Sequence, residues 1–125
     1  MKSYLLDSSF VIALLNELAN DSEGPALGWL KVNPRAHLWI SPVTLAEVLE
    51  GAEDPAVVKT YLSRYGWQGI HRMQAERVAI RQRRVAQRLG ENDAWQAAIA
   101  DCMQSVVLGH DHAFKSLGKL YEDFR

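Results

Sequence analysis

Asp7, Glu47, Asp93 and Asp111 are the residues whose type and placement in this chain could do chemistry together. Asp7 follows the short apolar run that ends at Leu6, and Asp111 follows Val106-Val107-Leu108 by way of Gly109 and His110. Glu47 lies in the stretch LAEVLEG, and Asp93 heads the alanine-rich stretch DAWQAAIADCM. Carboxylates gathered at one place repel, so at least one takes a proton unless a cation intervenes. An all-oxygen donor set without a histidine or cysteine cluster favours a hard divalent ion, Mg²⁺ or Mn²⁺, which also engages phosphate oxygens. Such an ion activates a water and stabilises the leaving oxygen of a phosphodiester. The implied reaction is hydrolysis of a nucleic-acid backbone.

Whether these acids meet depends on the elements that carry them. Ser3 to Leu6 reads as a short apolar strand stopped by Asp7, and Ser8 or Ser9 then caps a helix through Leu18. Pro25 opens a short helix through Val32, and His37 to Ile40 is a second strand. Ser41-Pro42 supplies an N-cap and a first-turn proline for a helix from Val43 to Leu49, closed by Gly51. Asp54-Pro55 starts another helix through about Ser63, and Trp67 to Ile70 forms a third strand. Gln74 to Leu89 is expected to be the longest helix. Asn92 is expected to cap the next, from Asp93 to Met103, where the Asp93 carboxylate meets free N–H groups and the positive end of the helix dipole. Val106 to Leu108 is a buried strand, Ala113 to Leu117 a helical turn ended by Gly118, and Leu120 to Phe124 an edge strand.

Strands alternating with helices imply a mostly parallel sheet covered on both faces, a three-layer α/β/α sandwich. Right-handed crossovers place every strand-to-helix loop on one edge, the edge where open α/β sheets bind ligands. All four acids are expected there. The chain has 125 residues, 48% of them hydrophobic, and is read as one domain spanning residues 1–125. A net charge of -1 excludes a generally basic nucleic-acid binder, so a polyanion must be met locally. The single cysteine, Cys102, excludes an internal disulfide and reads as a small buried hydrophobe. Asp7 interrupts the apolar N-terminal run, so neither export nor a membrane span is expected, and a cytoplasmic setting follows.

Arg77, Arg81, Arg84 and Arg88 recur at i, i+4, i+7 and i+11, a narrow helical stripe without an interleaved acid, and are candidates for contact with RNA phosphates or an acidic protein partner. His71, His110, His112 and Cys102 match no structural zinc spacing. Glu17, Asp21, Glu23, Glu50, Glu53 and Asp54 read as solvated charges, and Asp101 as a surface or structural residue. No P-loop is present. Ser8-Ser9 after Asp7 leaves no Asp-x-Asp of the phosphatase kind.

In this order and over essentially the whole chain, LLDSSFVIALL, LAEVLEG, GENDAWQAAIA and VVLGHDHAF resemble a PIN-domain protein of the VapC toxin type. The resemblance implies a Mg²⁺/Mn²⁺-dependent endoribonuclease, often held inactive by a cognate antitoxin and often a homodimer. By motif match it makes Asp7, Glu47, Asp93 and Asp111 the acidic metal-site residues. Ser8 and Ser9 match the small polar residues that follow the first aspartate, one of them with a supporting or substrate-orienting role. His110, also a supporting or substrate-orienting candidate, stands where the family commonly has a small hydroxyl residue or asparagine, and Gln96 at a usually aliphatic position. The competing reading is a catalytically silent PIN-like module that binds protein or RNA.

Overall fold

The computed structural model describes residues 2–125. Five parallel strands form one sheet in the order β3-β2-β1-β4-β5: β1 Ser3–Leu6, β2 His37–Ile40, β3 Gly66–Trp67, β4 Val106–Gly109 and β5 Tyr121–Asp123. The helices are α1 Ser8–Ala19, α2 Pro25–Val32, α3 Pro42–Glu50, α4 Pro55–Leu62, α5 Arg72–Arg84 and α6 Glu91–Cys102. A 3₁₀ segment, His112–Leu120, is kinked at Gly118, whose φ of 59° a residue without a Cβ adopts freely.

Alternation along the central strands builds the three layers, because successive side chains leave a strand on opposite faces. Tyr4, Leu6 and Leu108 join Phe10, Leu14, Trp29, Ile40 and Phe124 in a core shared with α1, α2, α3 and α4. Leu5 and Val107 turn the other way, onto Ala97, Ile99, Ala100, Phe114 and Leu117 of α6 and the 3₁₀ segment. Small side chains on α6 let its backbone lie close against the sheet. Among the described residues no helix is long and apolar enough to cross a membrane.

Several boundaries differ from the sequence reading, each for a local reason. Asp7 itself, not Ser8 or Ser9, is the N-cap of α1. The third strand is confined to Gly66–Trp67; Gln68 N–H adds one bond to Ile40 O at 2.9 Å before the chain departs toward α5. α5 stops at Arg84, since Val85 turns extended and the Gln82 side chain holds the Leu89 peptide from both sides, accepting from its N–H at 3.1 Å and donating to its carbonyl at 2.9 Å. Arg88 therefore lies outside the helix. Gly90, not Asn92, caps α6, and its carbonyl accepts from Ala94 N–H at 2.9 Å. Cys102 ends α6 half-buried rather than enclosed.

Glu17 is not merely solvated. Its carboxylate accepts from the N–H groups of Gly24, Ala26 and Leu27 at 2.8, 3.0 and 2.9 Å, satisfying the open start of α2 from a neighbouring helix. Burial pushes its pKa up, but the three donors together outweigh burial and hold it below its ordinary value. Glu17→Ala is therefore expected to destabilise the fold by about 1–2 kcal/mol at neutral pH in urea unfolding. A carboxylate with a depressed folded pKa loses its contribution as pH falls, so the difference from wild type is expected to shrink below 4.5, the ordinary value.

Candidate active site

Asp7 is 4% exposed at the end of β1. Its N–H extends the ladder to Leu108 O at 2.9 Å, and its carbonyl accepts from Phe10 and Val11 at the start of α1. The side chain is held as firmly: Asp7 Oδ2 accepts from Ser9 N–H at 3.1 Å and from Ser9 Oγ at 2.7 Å. Ser9 Oγ in turn accepts from His110 N–H at 2.9 Å, tying the first acid to the exit of β4. This approach requires Gly109, because a Cβ there would lie 2.9 Å from both Asp7 Cβ and Ser9 Oγ. The bridge belongs to Ser9; Ser8 stands outside it.

Asp111 lies just beyond, exposed, its Oδ1 accepting from Ala113 N–H at 2.9 Å to cap the 3₁₀ segment. Tyr121 Oη donates to Gly109 O and accepts from Asp111 N–H, each at 3.3 Å, so β5 steadies this turn. Glu47 sits half-buried in α3, and Asp93 half-buried in the first turn of α6. The Asp93 carboxyl pKa is raised from 3.8 to about 6, first by burial and then by the charges of Asp111, Asp7 and Glu47. Those are the other three acids of the sequence reading, all acting on the fourth. Among the described residues, however, no three histidine, cysteine, aspartate or glutamate side chains already stand close enough to hold an ion. The acids share one electrostatic neighbourhood rather than a closed cage. An oxygen-only set under like-charge repulsion fits a hard divalent cation better than a soft one.

The model of the PIN domain matches residues 4–120. The chain belongs to the PIN-domain family. Its fold is also that of several solved chains at low identity. A toxin–antitoxin complex from Klebsiella pneumoniae matches at TM-score 0.80 and 21% identity, over 98% of each chain. VapBC2 from Rickettsia felis, bound to a DNA fragment from its promoter, matches at TM-score 0.77 and 16% identity, over 97% of this chain and 98% of that one. VapBC-1 from nontypeable Haemophilus influenzae matches at TM-score 0.72 and 19% identity, over 98% of each. No curated protein matches the chain significantly by sequence.

Within this PIN domain His110 is exposed, its Nδ1 lying 3.0 Å from Asp123 Oδ1 on β5. The arginine stripe divides. Arg77 pairs with Asp101 of α6 at 2.9 Å and Arg81 reaches the same carboxylate at 4.0 Å, so the missing acid is supplied across the helix pair, and Asp101 is structural. Arg84 closes α5, and Arg88 follows in the bend toward α6. The sequence reading missed Gly109, Tyr121 and Asp123 as supports of the site. Only Gly109 carried a signal, a glycine inside an apolar strand pattern marking close backbone approach.

The Asp93 shift has a measurable consequence. A carboxyl whose folded pKa lies above its unfolded value holds its proton more tightly in the folded chain, so it destabilises the fold as pH rises between the two values. In chelator, stability is expected to fall between pH 3.8 and about 6 by an amount traceable to Asp93. Discounted for partial solvent screening, that amount is on the order of 1 kcal/mol. Urea unfolding at several pH values should show the fall in wild type and its absence in Asp93→Asn.

Proposed function

We propose that this PIN domain, one domain over the whole chain, is a Mg²⁺/Mn²⁺-dependent endoribonuclease acting in the cytoplasm as the toxin of a toxin–antitoxin pair. The observation that carries the reading is that, within a PIN domain, Asp7 at the end of β1, Glu47 on α3, Asp93 in the first turn of α6 and Asp111 after β4 act on one another, the other three raising the Asp93 pKa. Family membership supports a nuclease, and the likeness to chains from toxin–antitoxin complexes supports an antitoxin partner. A homodimer is part of the same proposal.

Asp7, Glu47, Asp93 and Asp111 would hold the cation, which when bound supplies charge neutralisation and an acidified water at the phosphodiester. Ser9 orients the Asp7 carboxylate, leaving Oδ1 outside the Ser9 bonds. The Asp93 carboxyl holds a proton below about pH 6 and must lose it to bind the cation, so Mn²⁺ affinity rises with pH through that value. Arg84 and Arg88 are the members of the stripe left to meet RNA phosphates, since Arg77 and Arg81 face Asp101. The competing reading is a catalytically silent PIN-like module that binds protein or RNA.

Incubation of total cellular RNA with purified protein in Mg²⁺, Mn²⁺ or chelator separates the two readings. Discrete fragments are expected with metal and none with chelator. Asp7→Asn and Asp93→Asn are each expected to lower the cleavage rate by about two orders of magnitude or more while remaining folded. Folded wild type that neither cleaves RNA nor takes up Mn²⁺ in calorimetry would leave the binding module as the function.

A further inference from the structure

Close to the acids in the chain lies a buried polar cluster that metal chemistry does not call for. Gln96 is 0% exposed on α6, among the buried Ala94, Ala97, Ala98, Ile99 and Ala100. Its Nε2 donates to Thr44 Oγ1 at 2.8 Å, and Thr44 Oγ1 donates to Leu6 O at 2.6 Å. Its Oε1 accepts from Ser41 Oγ at 2.5 Å, while Ser41 Oγ accepts from Thr44 N–H at 3.3 Å. Ser41 and Thr44 are also 0% exposed. A buried amide is tolerated only when bonded, and here both ends of the amide are.

The three elements so joined are those that deliver three of the acids. Leu6 immediately precedes Asp7, Thr44 lies three residues before Glu47 on α3, and Gln96 lies three residues after Asp93 on α6. Residues three apart share a helix face, so on α3 and on α6 the bonded side chain lies within one turn of the carboxylate, N-terminal to Glu47 and C-terminal to Asp93. Packing of α6 through alanines is non-directional and leaves the helix free to slide along its own axis; hydrogen bonds with fixed length and angle do not. Like charges on the same elements push them apart. We infer that Gln96 is a positioning residue that sets the mutual spacing of Asp7, Glu47 and Asp93 by clamping β1, α3 and α6 together. The inference rests on the metal-dependent nuclease reading and deepens it.

The test uses the full chain, with Mn²⁺ alone as the titrant in calorimetry and an RNA substrate for kinetics. Gln96→Leu removes both bonds at nearly constant volume and is expected to lose roughly 10–100-fold in Mn²⁺ affinity and in kcat, with KM for RNA little changed. Ile99→Val, a buried change on the same helix outside the clamp, gauges general loosening and is expected to lower Tm while keeping Mn²⁺ affinity and kcat. Gln96→Leu no weaker than Ile99→Val in both readouts overturns the inference. If Gln96→Leu does not fold, Thr44 decides: Thr44→Val is expected to weaken Mn²⁺ binding and Thr44→Ser, which keeps the hydroxyl, to restore it, whereas two equal variants overturn the inference. Wild type that neither binds Mn²⁺ nor cleaves RNA overturns the nuclease reading and this inference with it, and is recognised before any variant is made.

Discussion

Repulsion among carboxylates at one edge of a parallel sheet is the constraint around which this molecule is arranged. Burial and the charges of Asp111, Asp7 and Glu47 raise Asp93 to about 6, so the fold bears an unfavourable interaction that separating the elements would relieve. What prevents separation is distributed. Two cores grip the sheet from both faces, with Leu5 and Leu6 turned into opposite ones, so β1 cannot move without disturbing both. Asp7 is thereby fixed by the strand before it and the helix it caps.

Three of the four acids are met by different devices. The carboxylate of Asp7 accepts two bonds from Ser9, and that serine also takes His110 N–H, joining the exits of β1 and β4. Asp111 caps the 3₁₀ segment that follows it, with Tyr121 bracing the turn from β5. Asp93 lies in the first turn of α6, where the helix dipole favours negative charge, yet burial and its three neighbours outweigh that favour. The result is one acid tied down by donors and another poised near neutrality. Such an arrangement can exchange a proton for a cation, which is why the proposed function follows from electrostatics before it follows from any single residue.

Most of the fold was legible because it is local. His37–Ile40 lies between the breaks at Asn33-Pro34 and Ser41-Pro42, and Pro25, Ser41-Pro42 and Asp54-Pro55 announce three helix starts. The acids could be placed on one edge from topology alone, since alternating strands and helices fix which loops share it. What escaped depends on long-range side-chain bonds. Nothing near Leu89 says that Gln82 will hold its peptide and end α5 early, and nothing near Gly24 says that Glu17 will cap α2. Asp101 looked detached from the arginines because its partners come from another helix. Ser8 or Ser9 was read as the cap and one of them as a support of the site; Asp7 is the cap and Ser9 the bridge, a choice set by the nearness of β4.

Gln96 shows the same limit in its sharpest form. Along the sequence it stands out only as a polar residue at a usually aliphatic position of an alanine-rich helix, and its sense lies in Ser41 and Thr44, more than fifty residues earlier. An apolar side chain there would satisfy the core without specifying where α6 sits along the sheet, because hydrophobic contact carries little directional information. The amide specifies it, at the risk of a large penalty should either partner be lost. That trade makes sense only where the position of a neighbouring residue matters more than the stability of the helix that carries it. One turn away on the same helix is Asp93, the residue on which the other three acids act.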